Sequence, residues 1–331
     1  MQPVSYARAT DVTSAIATVS ADPESAFLAG GTTEVDLLRQ DVVRPKRLVD
    51  INALPLTEVE DLPGGGLRIG ALARMSDVAE APGVMERFPV ISQALVLGAS
   101  AQLRHMASMG GNLLQRVRCS YFRDTASPCN KRVPGTGCSA LEGINRGHAV
   151  LGTSDHCIAT HPSDLAVALM ALDAVVHTDG PSGHRAIAID DFFLLPGGTP
   201  HIEHPLQHGE LVVSIEVPAT PVARRSLYLK VRDRESYEFA LASVAVALRV
   251  EGGRVGEVRL ALGGVATKPW RARQAERELL GQPAERASFA RAAAAEMAPA
   301  VPRSMNGFKV ELAQRAMVRA LEEATRMGGA A

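Results

Sequence analysis

Aromatic residues make up only 4% of this 331-residue chain, and Trp270 is its single tryptophan. That scarcity argues against stacking platforms for single-stranded nucleic acid. A net charge of −1 offers no strongly basic face for nucleic acid or anionic lipid. No stretch approaches the ~20 apolar residues that span a bilayer. The opening MQPVSYARATDVTSAIATVS lacks a basic start followed by an apolar run, so the chain is expected to carry no secretory signal of its own. Internal repeats and low-complexity segments are missing too. Hydrophobic residues at 46% and charged residues at 21% are ordinary for a soluble globular protein, and the length allows two or three domains.

Cysteine is also scarce, and its placement is informative. All four, Cys119, Cys129, Cys138 and Cys157, fall in one window, with nine, eight and eighteen residues between them. Thiolates bind soft metals, and four satisfy either a tetrahedral zinc or an iron–sulfur cluster. The segment carries Arg116, Arg118, Arg123, Lys131, Arg132 and Arg146 against Asp124 and Glu142, and such cations lower the cost of holding a net-negative cluster. Pro128, Pro134, Gly135 and Gly137 suit a loop wrapping a compact object. Zinc usually brings a short C-x2–4-C knuckle, which is missing here. Two disulfides remain open from the even count, although a 35 kDa chain has core enough without staples.

Two glycine-rich turns stand out. Phe27-Leu28-Ala29-Gly30-Gly31-Thr32-Thr33 sits where a strand expected over 25–29 gives way to a helix beginning near Val35. Consecutive glycines let N–H groups converge on an anion, and the threonines add donors. It is neither a dinucleotide G-x-G-x-x-G nor a Walker A loop, since no lysine follows. Ser108-Met109-Gly110-Gly111-Asn112, just before Cys119, is a second candidate. Gly64-Gly65-Gly66 reads as a hairpin turn within 58–71, and Gly263-Gly264 as structural. Either candidate could equally be an ordinary tight turn.

Periodicity predicts further helices at 11–20, 75–78, 88–96, 102–107 and 165–174, the last entered through His161-Pro162-Ser163-Asp164 with Ser163 or Asp164 as N-cap. A strand is expected at 47–51. Residues 196–208 read as a loop, and Pro218 and Pro221 mark a linker. Beyond it, runs 239–250 and 254–263 form a hairpin through Glu251-Gly252-Gly253, followed by helices at 271–281, 287–297 and 307–327. Strands followed by helices suggest an α+β domain.

In combination these motifs carry a resemblance. FLAGGTTEVDLL at 27–38, SMGGNLLQ at 108–115, HPSDLAVALMALDA at 161–174 and LKVRDRESYEFALASVAVAL at 229–248 resemble the FAD-binding subunits of the xanthine dehydrogenase and molybdenum hydroxylase family, over essentially the whole chain. CNKRVPGTGC at 129–138 and TSDHC at 153–157 are most similar to the periplasmic aldehyde oxidoreductase branch, and less so to 4-hydroxybenzoyl-CoA reductase. The resemblance implies an α+β architecture: a two-subdomain FAD-binding fold of the vanillyl-alcohol-oxidase (PCMH) type at 1–218, divided at 56/57, then a C-terminal α+β domain at 222–331. It implies FAD held by Phe27, Leu28, Ala29, Gly30, Gly31, Thr32, Thr33 and Glu34, by Ser108, Gly110, Gly111 and Asn112, by Asp164 at the sugar and by Lys230 at the isoalloxazine edge. It also implies a 4Fe–4S cluster in loop 116–158 on Cys119, Cys129, Cys138 and Cys157. Asp164 could instead be a plain helix cap and Lys230 a solvated lysine.

The chain has no molybdenum-cofactor motif and no plant-type 2Fe–2S cysteine spacing. The resemblance therefore implies one subunit of a heterotrimer, with a large molybdenum-cofactor subunit, a small 2Fe–2S subunit and an external electron acceptor. Co-export into the periplasm with a signal-bearing partner is expected, with the cytoplasm as alternative. A free-standing FAD oxidoreductase would need a substrate base, and no Tyr/His/Arg constellation offers one; a zinc-stabilised scaffold is the other alternative. His156 and His161 bracket Cys157, His201, His204 and His208 lack metal-ligand spacing, and Tyr237 and Glu238 fall where related subunits face the flavin.

Overall fold

The computed structural model describes residues 2–327. A small parallel sheet forms first, from β1 (Ser5–Arg8), β2 (Ser25–Leu28) and β3 (Arg47–Asp50) in the order β1-β3-β2. Its crossovers carry the helices Val12–Ser20 and Glu34–Arg39, because parallel neighbours cannot be joined by a tight turn. Asp11 starts the first: its carboxylate accepts from the Ser14 N–H at 2.7 Å and the Ser14 hydroxyl accepts from the Asp11 N–H at 3.3 Å, a capping box. Ala15, Val19, Val49, Ile51 and Leu54 form the core beneath.

The second sheet is antiparallel, built from β4 (Val59–Asp61), β5 (Leu67–Gly70), β6 (Val175–Gly180), β7 (Gly183–Ala188) and β8 (Leu211–Val217) in the order β4-β5-β8-β6-β7. Strands β6, β7 and β8 go beyond the elements expected from sequence. Between β5 and β6 the chain runs through short helices, the cysteine segment and the helix Asp164–Ala171, of which every residue from Leu165 to Ala171 is buried. That helix stops three residues short of the expected Ala174, since Asp173 takes a left-handed φ of 52°, which aspartate tolerates.

The C-terminal sheet has the order β12-β11-β10-β9, with β9 (Ser226–Val231), β10 (Ala242–Glu251), β11 (Arg254–Gly263) and β12 (Trp270–Arg271). Helices Arg273–Leu279, Arg286–Met297 and Phe308–Met327 cover it. The last buries Ala313, Ala316, Met317, Ala320, Leu321 and Ala324, a stripe at helical spacing. Tyr228, Ala245 and Ala261 join the core of the second sheet, so the two layers share one apolar interior. Among the described residues no helix is long and apolar enough to cross a membrane.

Candidate cofactor site

Both glycine-rich turns open onto one cavity of about 620 Å³, a size typical of cofactor pockets. Phe27, Ala29, Gly30, Gly31, Thr32, Thr33 and Glu34 line it from the β2 side; Leu28 does not, and its side chain lies against Gly31 instead. Gly30 is forced by packing, because a Cβ there would fall 2.0 Å from the Met106 carbonyl oxygen. Gly31 is forced by backbone, with φ at 70°.

Ser108, Gly110, Gly111 and Asn112 form the facing wall. The Met109 and Gly110 N–H groups donate to the Ala73 and Ala71 carbonyls at 3.0 and 2.8 Å, anchoring the turn beyond β5. Ser108 caps the helix Met109–Leu113, its hydroxyl accepting from the Gly111 N–H at 3.3 Å. The Asn112 side chain accepts from the Ser163 hydroxyl at 2.5 Å and donates to the Met75 sulfur at 3.2 Å, so it ties this turn to the 164–171 helix.

Ser163, not Asp164, caps that helix, accepting from the Ala166 N–H at 3.0 Å. Asp164 is thereby free to face inward, where its two oxygens accept from the Tyr228 hydroxyl and the Lys230 ammonium, each at 2.7 Å. Lys230 also donates to the Leu97 carbonyl at 3.0 Å, and its side chain is 1% exposed, which rules out a solvated lysine. Burial pushes the Asp164 carboxyl up, opposed by the Lys230 charge and the Tyr228 hydroxyl. Both residues line the cavity. One ammonium proton and the remaining carboxylate lone pairs are left for a ligand.

Sequence reasoning assigned Arg116 and Arg118 to the cysteine segment, yet both also line this cavity. Arg118 donates to the Thr33 hydroxyl at 3.4 Å and lies 5.0 Å over the Phe239 ring; burial lowers its pKa. Arg116 pairs with Glu203 and lies 4.9 Å over Phe122. Burial raises the Glu34 carboxyl, with Arg116 opposing. Tyr237 and Glu238 also line the cavity, Tyr237 at a left-handed φ of 52°.

Past Arg118 the four cysteines, all free, line a second, small cavity with about 10 Å³ of room. Cys129 and Cys138 face each other across an isolated antiparallel bridge. Burial pushes the Cys119 thiol up to about 12 and raises Cys157, the latter against the Lys131 charge. Among the described residues no three His, Cys, Asp or Glu side chains converge as a single-ion site. His156 lines this cavity, whereas His161 is buried against Phe193 with ring centroids 4.6 Å apart.

Known proteins share this chain's domain order. Residues 2–220 match the FAD binding domain in molybdopterin dehydrogenase, and residues 227–324 match the CO dehydrogenase flavoprotein C-terminal domain. The chain is 47% identical over 325 residues to the aldehyde oxidoreductase FAD-binding subunit PaoB of Escherichia coli strain K12, covering 98% of this chain and 99% of that one. It is 28% identical to the glyceraldehyde dehydrogenase medium chain of Sulfolobus acidocaldarius, covering 84% and 81% of the two. The solved carbon monoxide dehydrogenase of Hydrogenophaga pseudoflava superposes with a TM-score of 0.75 at 26% identity, covering 98% of each chain. With both domains matched in order over nearly the full length, the chain belongs to the FAD-binding medium subunits of the molybdenum hydroxylase family.

Proposed function

We propose that this chain is the FAD- and 4Fe–4S-carrying electron-transfer subunit of a heterotrimeric, molybdenum-containing aldehyde oxidoreductase. Its partners would be a large molybdenum-cofactor subunit and a small 2Fe–2S subunit. The observation that carries the reading is the adjacency of two built sites: the glycine-walled cavity and the four-thiol cavity, joined by the short stretch from Arg116 to Cys119. FAD, when bound, accepts electrons singly and releases them in pairs, which suits a junction between one-electron centres and an external acceptor.

The chain's own residues hold and orient the flavin. The Ala29–Glu34 wall offers backbone N–H donors to a pyrophosphate, the Ser108–Asn112 turn, whose Met109 to Asn112 N–H groups are already paired, closes the facing side, and Arg116 and Arg118 add positive charge there. Asp164 accepts from sugar hydroxyls, with its carboxylate kept in place by Tyr228 and Lys230. Substrate oxidation is assigned to the molybdenum-cofactor partner.

Four free thiols line one cavity, with burial raising Cys119 and Cys157, and such thiols give up their protons to soft metal ions. The donor set of four thiols is one that an iron–sulfur cluster takes. A cubane needs more room than about 10 Å³. The Cys129–Cys138 turn is the wall that would have to shift, and its tip from Val133 to Gly137 is exposed to solvent. By analogy with the periplasmic branch, the complex would be exported folded with a signal-bearing partner.

An anaerobic mixing experiment tests the assignment. With both partners present, an aldehyde is expected to bleach the flavin band; the isolated chain is expected to stay oxidised. Bleaching of the isolated chain by aldehyde would instead make it a free-standing oxidoreductase.

A further inference from the structure

Asn145, Asn306 and Lys309 are polar and fully buried. Together they latch the C-terminal domain onto the end of the cysteine segment. Asn145 accepts from the Met305 N–H at 2.9 Å, and Asn306 donates to the Ala149 carbonyl at 3.1 Å. Lys309 donates to the Gly147 and Gly264 carbonyls at 2.8 and 2.7 Å. Both of its hydrogen-bond partners are carbonyls rather than carboxylates, and burial lowers its pKa to about 7. An ammonium without a counter-ion is costly in an apolar interior, so a nearby negative centre would account for its place.

The latch encloses His148. Its carbonyl accepts from Asn306 at 3.4 Å, and its ring Nε2 lies 3.2 Å from the Cys119 sulfur. The ring's Nδ1 is buried without a partner. A singly protonated ring has one hydrogen to place, and among the described residues its one polar partner is the Cys119 sulfur. Placed on Nδ1, that proton would be an orphaned donor. On Nε2 it meets sulfur, and a thiolate can only accept.

We propose that His148 donates its Nε2 proton to the Cys119 thiolate of the iron–sulfur site, that Lys309 is the positioning residue holding it there, and that together they raise the reduction potential of the metal centre. The inference rests on the cluster reading above. One electron enters the cluster on reduction, and the Nε2 hydrogen stays on His148 as the hydrogen bond to sulfur. The added negative charge is stabilised by the sulfur-bound donor and by the buried ammonium.

The test uses the complete complex carrying His148→Phe, Lys309→Met or Lys309→Arg, with iron and flavin quantified before an EPR-monitored redox titration. His148→Phe is expected to keep iron and flavin and to lower the cluster midpoint by a tenfold change in the one-electron equilibrium or more, about 59 mV. Lys309→Met should shift it in the same direction and Lys309→Arg should restore it, while the flavin midpoint stays put. An unchanged cluster midpoint in His148→Phe overturns the proposal. So does loss of iron with flavin retained, which would make the ring a ligand or a scaffold. Should Lys309→Met fail to fold, His148→Phe alone decides. Absence of iron from the unsubstituted complex would instead defeat the cluster reading itself, a separate and recognisable result.

Discussion

Gly30→Ala offers the sharpest perturbation of the flavin site. An added Cβ would sit 2.0 Å from the Met106 carbonyl oxygen, 2.8 Å from its carbon and 3.0 Å from the Ala107 Cα, all backbone atoms. None can rotate away, so either the Gly30–Thr33 turn or the 106–107 backbone must retreat by at least about 1 Å to reach an ordinary contact. A 1 Å displacement stretches an N–H···O bond of about 2.9 Å beyond useful length. Hydrogen bonds to charged groups contribute about 1.5–3 kcal/mol each, and each 1.4 kcal/mol is tenfold in affinity. Losing one pyrophosphate contact therefore weakens FAD binding by roughly 10- to 100-fold. Titration of deflavinated protein with FAD, followed by fluorescence quenching, measures this directly. Gly64→Ala is the control: its φ of 88° carries backbone strain, but no atom lies within 4 Å of the added Cβ, so only stability should fall. Equal FAD affinity in folded Gly30→Ala and unsubstituted protein would refute the reasoning.

Three further outcomes are expected. Cys129→Ser should lose iron while keeping FAD, read by iron assay and the flavin spectrum; full iron content would remove Cys129 from the ligand set. Lys230→Met leaves Asp164 buried without its cation and should destabilise the folded chain by about 3–5 kcal/mol, with Asp164→Asn recovering part of it in the double variant, as urea denaturation would report. His161 packs against Phe193 with its Nε2 buried, and burial depresses its pKa from 6.5 to about 3. A depressed pKa gives stability that is present above 6.5 and lost as pH falls toward 3, because the unfolded chain then binds the extra proton. Melting temperatures of His161→Phe should accordingly fall less steeply over that window than those of the unsubstituted chain.

Much of this was legible in sequence where the signal is local. The Glu251-Gly252-Gly253 turn marks the β10–β11 hairpin, and the last helix announces itself by apolar spacing. The first glycine turn was visible because tight packing at Gly30 and positive φ at Gly31 leave no substitute for glycine. What escaped depends on distant partners. The largely exposed β1 exists only because β3, some forty residues on, offers a parallel edge. The alternation in Leu211–Val217 was readable, but its neighbours β5 and β6 lie far away in sequence. Asp164 and Lys230 were each legible as candidates, whereas their pairing across 66 residues was not. Arg118 was read only as a cluster cation, since nothing local shows that the same guanidinium reaches Thr33.

The most direct test of the account is the cofactor content of the complex isolated anaerobically with its companion subunits. One flavin and one four-iron cluster assignable to this chain, the latter lost on substitution of its cysteines, is the result expected. Flavin without iron, or stoichiometric zinc in place of iron, would contradict it.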